Sequence, residues 1–371
     1  MRINKQVSIL IVSWLLVNSI LYYALGIKYA IDTTRFDSEA NAWLQGQFEF
    51  SYRFWYSGYI ALLALCKLIF NSIYPSIVFQ YLLSFISILL FYTGLSNILK
   101  NKTAAFIAAL LVIVYIPIQQ WNTCLLTESI FISLILLFIW ALSIESSSKK
   151  WMCLFSIAIL ASTIRPNGGI LLITCAALYS IQKIQSGKYL NIQFYIVAAA
   201  GLILLHNFTD TFYQFLLDSF NKGEVICGYN GWTYSTASSQ VDDNSSGSIT
   251  KIIDLIQSNP IKSMQLFAGR FVALWMDVRA YYSITHNIFI GIFLVFSYST
   301  AIVGFIKFHT EYTHLKWTSI IYCGLNSLLI MVTYADWDGR FLAPLLPMVF
   351  IWSGLGIYFS SQFLKRKKTV A

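Results

Sequence analysis

The sequence predicts an all-α polytopic membrane protein of about ten transmembrane helices, with juxtamembrane helices and one large loop on the outer side. Three observations predict it. Of the 371 residues, 57% are hydrophobic and only 11% are charged. The mean hydropathy of +0.66 is too apolar for a soluble globular domain. The apolar residues also fall into runs near the roughly 20 residues that a helix needs to cross a bilayer.

The first run, VSILIVSWLLVNSILYYALGI, lacks a small-residue cleavage site, so it reads as a retained helix rather than a signal peptide. Candidate spans lie at 7–26, 74–97, 104–119, 129–145, 151–164, 168–182, 190–206, 285–307, 317–334 and 341–360. The stretch YSGYIALLALCKLIF (56–70) is apolar but short. Counting it as a crossing would turn the Lys100–Lys102 and Lys149–Lys150 connectors outward. It is therefore assigned to the outer side as a surface or re-entrant helix.

The charge bias then holds along the chain. One side carries Arg2, Lys5, Lys100, Lys102, Lys149, Lys150, Lys183, Lys188, Lys307, Lys316 and the tail Lys365, Arg366, Lys367 and Lys368. Its only acids are Glu145 and Glu311. This side is expected to be cytoplasmic, with both termini on it. The long outer regions are 27–73 and 207–284. The second has the polar centre NKGEVICGYNGWTYSTASSQVDDNSSGS, followed by two amphipathic segments broken at Pro260. No internal repeat or separate soluble domain is legible, so residues 1–371 read as one integral membrane domain, most simply of a bacterial inner membrane.

The net charge of +9 does not point to nucleic acid, because the basic residues sit in connectors between apolar runs. The six cysteines are scattered without a CxxC pair and read as small core residues. Cys124 and Cys227 fall in loops on the same expected side, which leaves a disulfide between them open.

Candidate chemistry gathers at the outer helix ends. Asp32, Asp37 and Glu39 follow the first run in DTTRFDSEANAWLQG. Glu128 sits in QQWNTCLLTESIF, Arg165 in STIRPNGG, and Asp336, Asp338 and Arg340 in YADWDGRFLAPLLP. Carboxylates there can remove a proton, and arginines can clamp a phosphate. Each residue also has a purely structural reading. Asp32, and Glu128 with Thr127, suit helix caps. Asp37 and Glu39 suit a solvated helix face. Arg165 suits an interfacial anchor and Lys67 a snorkelling lysine. Arg340 suits an ion pair with Asp336 or Asp338. Trp43, Trp55, Tyr56, Tyr59, Trp121 and Trp232 suit the aromatic belt at a membrane surface. The Asp336-Trp337-Asp338 triplet is an acid-x-acid candidate for a divalent metal, but it is no clean metal motif, so no cofactor is firmly implied.

Several of these motifs, in this order, resemble the GT-C superfamily of membrane glycosyltransferases. The nearest branch is that of dolichyl-phosphate-mannose protein mannosyltransferases and lipid A aminoarabinose transferases. Asp32, Phe36, Ala40, Leu44 and Gly46 stand at that family's spacing after the first span. YSGYIALLALCKLIFNS resembles its surface helix, with Ser57-Gly58 where the family has Pro-Pro. LLTESIFISL, STIRPNGGILL, IQSNPIKSMQLFAGRFVALW and DGRFLAPLLPMVF are similar to later family segments.

The resemblance implies inverting transfer of a sugar from a polyprenyl-phosphate donor to a glycan, lipid or protein acceptor on the non-cytoplasmic face. Asp32 would be the general base and Glu128 a second catalytic acid. Arg340 and Arg165 would bind the donor phosphate. Asp37, Tyr59, Asp338 and His206 would line the site or meet the acceptor. The surface helix would shape access for the lipid tail, and loop 207–284 would choose the acceptor. Two other classes fit the same layout. A lipid-linked glycan polymerase or ligase would rely on His206 or His286. A transporter or flippase, the less favoured of the two, would need ionisable residues near mid-span, whereas the charges here sit at the outer helix ends.

Overall fold

The apolar runs fold as helices, the form in which a backbone satisfies its own N–H and C=O groups without water. The computed structural model covers residues 5–48, 52–187, 220, 222–234 and 256–370. Among these described residues there is no strand, only isolated bridges such as Lys28 with Cys124. The helices are α1 (Lys5–Leu25), α2 (Ile31–Leu44), a 3-10 turn (Tyr52–Tyr56), α3 (Ser57–Phe70), α4 (Pro75–Leu99), α5 (Lys102–Val114) and α6 (Ile116–Gln119). After a second 3-10 turn (Gln120–Thr123) come α7 (Glu128–Ala141), α8 (Ser147–Ile164) and α9 (Gly168–Gln185). The remaining helices are α10 (Pro260–Met276), α11 (Ile284–Phe308), α12 (Thr313–Val332) and α13 (Leu346–Val370). The expected span 190–206, His206 and most of the polar centre of 207–284 lie outside the described residues.

By length and composition, α1, α4, α11 and α12 can each cross a membrane, and α5 with the bent segment through Thr123 makes a fifth. Helix α3 and helix α7 are apolar but shorter. The chain divides into two compact units. The first holds Met1–Tyr179, Phe293–Cys323 and Ala343–Ala371; the second holds Ser180–Ile292 and Gly324–Leu342.

In the first unit, α7 is buried along most of its length and packs chiefly against α4 and α8. Helix α5 packs against α1, α4 and α13. The element boundaries have local causes. Asn71 ends α3 in the left-handed region (φ 52), and its N–H donates to the Lys67 carbonyl at 2.8 Å. Pro75 opens α4, where a missing N–H costs nothing. The Asn101 side chain caps α5 by accepting from the N–H groups of Thr103 and Ala104, each at 3.1 Å.

The expected continuous span 104–119 is broken. Helices α5 and α6 meet at a 67° bend. Pro117 is the cause: it lacks an N–H, its ring opposes the carbonyl four residues back, and it disfavours helix at the residue before it. The bend frees the carbonyl of Val112, and the Gln119 side-chain amide donates to it at 2.9 Å. Gln119 Oε1 in turn accepts from Asn18 at 3.1 Å and from Asn122 at 3.2 Å. Asn122 also donates to Asn18 Oδ1 at 2.8 Å and accepts from the Ser129 hydroxyl at 2.6 Å. These buried amides border a cavity of about 10 Å³ for the centre of a water molecule, room for roughly one water.

In the second unit, buried Arg270 ties its own helix, α10, to two other stretches of backbone. Its Nε donates to the Glu224 carbonyl at 2.9 Å, and its Nη1 to those of Met331 and Val332 at 3.3 and 3.1 Å. The last two carbonyls lie at the C-terminal end of α12, where helix groups lack partners of their own.

Candidate functional site

The first unit carries a charge cluster built at the ends of α2, α7 and α8. It starts with a backbone clasp. The Lys28 N–H donates to the Thr123 carbonyl at 2.9 Å, and the Leu125 N–H donates to the Lys28 carbonyl at 3.1 Å. Thr33 adds to it: its hydroxyl accepts from the Ala30 N–H at 3.0 Å and donates to the Leu125 carbonyl at 2.9 Å. The start of α2, with Asp32, is thereby held beside the connector that leads into α7, with Glu128. Gln80 of α4 closes the other side. It donates to the Cys124 carbonyl at 2.8 Å and accepts from the Tyr59 hydroxyl at 3.3 Å.

Each charged residue has a defined setting. Asp32 lies in the first turn of α2, and its side chain is 33% exposed. Arg35, one helical turn on, reaches it at 3.1 Å and also lies over the rings of Phe36 and Tyr56. Glu128 opens α7 and is only 1% exposed. Arg165 ends α8, is 5% exposed and meets Glu128 at 2.7 Å. Arg165 is placed there by a tight Arg-Pro-Asn-Gly turn. A methyl group on Gly168 would collide with the Ala161 carbonyl, so the chain leaves α8 this closely only with glycine at that position. Removing one partner of such a buried ion pair generally costs about 3–5 kcal/mol.

Tyr56 lies within electrostatic reach of all four. Burial pushes its hydroxyl pKa upward, Arg165 and Arg35 pull it down, and Asp32 and Glu128 push it up. Tyr56 also packs against Phe36, ring centres 5.1 Å apart. Tyr56 and Arg35 were not among the residues expected to act. The signal for Arg35 was its i, i+3 spacing from Asp32. For Tyr56 it was the three-residue interval from Tyr59, which had been favoured in its place.

Other expected residues settle elsewhere. Tyr59 is fully buried; burial, and then Glu128, raise its hydroxyl pKa well above the usual value. It packs as core and offers no surface to a substrate. Asp37 is bound by Lys67 at 2.6 Å, and the same ammonium donates to Asn41 Oδ1 at 2.6 Å. Lys67 is therefore a clip between α3 and α2, not a snorkelling lysine. Glu39 is buried, not on a solvated face. All six cysteines are free, Cys124 and Cys227 included.

Asp338 and Arg340 belong to the second unit. There the Asp336 carboxylate accepts from the backbone N–H of Arg340, which fixes the turn across Gly339. Asp277 and Arg279, which no motif marks, are buried together with Asp336. Arg279 Nη2 is 3.5 Å from the Asp277 carboxylate and donates to the Asp336 carbonyl at 3.2 Å. Gly339 has φ +70, and a Cβ there would overlap the Asp277 carboxylate. Among the described residues, no group of three or more His, Cys, Asp or Glu side chains is placed to hold a metal.

Compared with protein-family models, with curated proteins and with solved structures, the chain matches none of them.

Proposed function

We propose that the chain is an inverting membrane glycosyltransferase of the GT-C kind, with about ten crossings. In this reading it takes a sugar from a polyprenyl-phosphate donor on the non-cytoplasmic face of a bacterial inner membrane, with both termini in the cytoplasm. The observation that carries the reading is the meeting of Asp32, Arg35, Glu128 and Arg165 around Tyr56. Two carboxylates and two guanidiniums balance one another there, and their exposure divides their roles. Asp32 is open enough to touch an acceptor hydroxyl and take its proton. Glu128 is too deeply buried for that and instead holds Arg165. Arg35 and Arg165 supply the positive charge that a departing lipid phosphate requires. A single base suits direct displacement at the sugar carbon, with the acceptor oxygen bonding as the phosphate oxygen leaves and without a covalent enzyme intermediate. Arg340 is assigned to the donor phosphate by the family resemblance alone. The acceptor, whether glycan, lipid or protein, is left open.

The test is transfer from a radiolabelled polyprenyl-phosphate sugar by purified protein in lipid nanodiscs. Asp32→Asn should lower turnover by at least about 100-fold, the scale of a lost general base. A folded Asp32→Asn protein with wild-type turnover would overturn the assignment.

A further inference from the structure

The second unit carries a cluster of aromatic rings that takes no part in the chemistry above. Trp337 is 42% exposed and Tyr281 37%, and their ring centres are 4.6 Å apart. Tyr229 stands edge-on to both, at 5.3 and 5.7 Å. Tyr282 stands edge-on to Tyr281 at 5.2 Å and stacks on His286 at 4.5 Å. The tyrosine hydroxyls are taken up by backbone: those of Tyr281 and Tyr282 both donate to the Trp337 carbonyl, at 2.7 and 2.9 Å. The rings are thus held to one another while Trp337 and Tyr281 stay partly exposed.

What lies close to these rings is charged. Arg279 is buried there, donating to the Ala273 carbonyl at 2.8 Å as well as to Asp336. Arg279 Nε and Asp336 Oδ1 are buried without a hydrogen-bond partner. Asp338, next to Trp337 in sequence, is exposed. Anchors at a lipid interface are built the other way round, with an apolar body in lipid and the polar tip in water. Here the hydroxyl tips are bonded to the Trp337 carbonyl rather than left to water, and the partly exposed rings are backed by buried Arg279 and edged by exposed Asp338.

We propose that this face binds carbohydrate. A sugar ring has an apolar face of C–H groups and a rim of hydroxyls. The C–H face stacks on Trp337 and Tyr281, and the Asp338 carboxylate accepts from rim hydroxyls. The preset rings lose little freedom on binding, which keeps the entropic cost low. The proposal concerns binding in the second unit and stands whether or not the first unit transfers a sugar.

The experiment is saturation-transfer NMR on the full chain in nanodiscs, with cellohexaose, chitohexaose and mannohexaose as separate probes. At least one probe should receive saturation. Trp337→Ala should weaken its binding about tenfold, on the scale of losing one stacked ring, and Trp337→Phe should retain most of it. If Trp337→Ala fails to fold, Tyr281→Ala takes its place and is read the same way. The proposal falls if no probe receives saturation, which would leave the rings as membrane anchors, or if removing the ring leaves affinity unchanged. Wild-type turnover by Asp32→Asn would overturn the transfer assignment and leave this binding result untouched.

Discussion

Three carboxylates in this chain meet three environments, and each environment sets what the acid can do. Asp32 is partly exposed beside Arg35. Glu128 is enclosed against Arg165. Asp277 is enclosed as well, but Arg279 stands 3.5 Å off, and burial pushes its pKa up to about 8, with Asp336 and Asp338 adding to the rise. In the unfolded chain an aspartate titrates near 3.9, at about the ordinary value. From about pH 4 to about pH 8 the folded protein therefore keeps a proton that the unfolded chain has released. Stability falls as pH rises through that window, by up to about 1.4 kcal/mol per pH unit from this group, and levels off above it. Asp277→Asn removes the titration. Its melting temperature, followed from pH 5 to 8 in nanodiscs, should decline less steeply than that of the wild type; parallel curves would show that Asp277 does not hold the proton. The sequence made Asp32, Glu128 and Arg165 legible because each stands at the end of an apolar run. Asp277 and Arg279 were not legible. Their burial depends on Gly339 and the loop around it, which local pattern does not connect to them.

At the level of elements, the sequence showed where backbone would fail but not what would mend it. Pro117 was visible inside the run 104–119, and a break there follows from its missing N–H. Which group would take up the freed Val112 carbonyl depends on how the turn after α6 brings Gln119 back, and no periodicity reports that. Asn18 and Asn122 were equally unreadable, since an amide in an apolar run shows no partner until the helices pack. Gln119→Leu tests the repair. It strands the Val112 carbonyl and removes one acceptor of each asparagine, while keeping most of the side-chain volume. Leaving buried polar groups unsatisfied should cost about 1–3 kcal/mol each, seen as a lower unfolding midpoint in denaturant titrations. A variant as stable as the wild type would mean that the bond in the bend contributes no net stability. The clip at Lys67 has the same origin. Its helix looked like a free surface element because the acid that binds it, Asp37, lies 30 residues earlier in the chain.

For the whole molecule, composition makes several helices long and apolar enough to cross a membrane, and the placement of the basic connectors is what would set the way they face. Neither decides every crossing. Helix α7 is 14 residues long and buried along most of its length, about 21 Å at 1.5 Å per residue. That is short of a hydrocarbon core of about 30 Å unless the turn before it shares the depth. The basic connectors give the more decisive handle. Ser147 opens α8 just ahead of Lys149 and Lys150, and Asp338 lies in the loop before α13. If the positive side is cytoplasmic, these positions face opposite compartments. The native cysteines, all free thiols, can be replaced by alanine to give a background for single-cysteine labelling. A membrane-impermeant maleimide should then label Asp338→Cys in intact cells and Ser147→Cys only after lysis. The reverse pattern would turn the loop that carries Trp337 and Arg340 into the cytoplasm. It is the pattern expected if α3 is a true crossing, because a single added span between Lys28 and Lys100 inverts every later connector while leaving the N-terminus where it is.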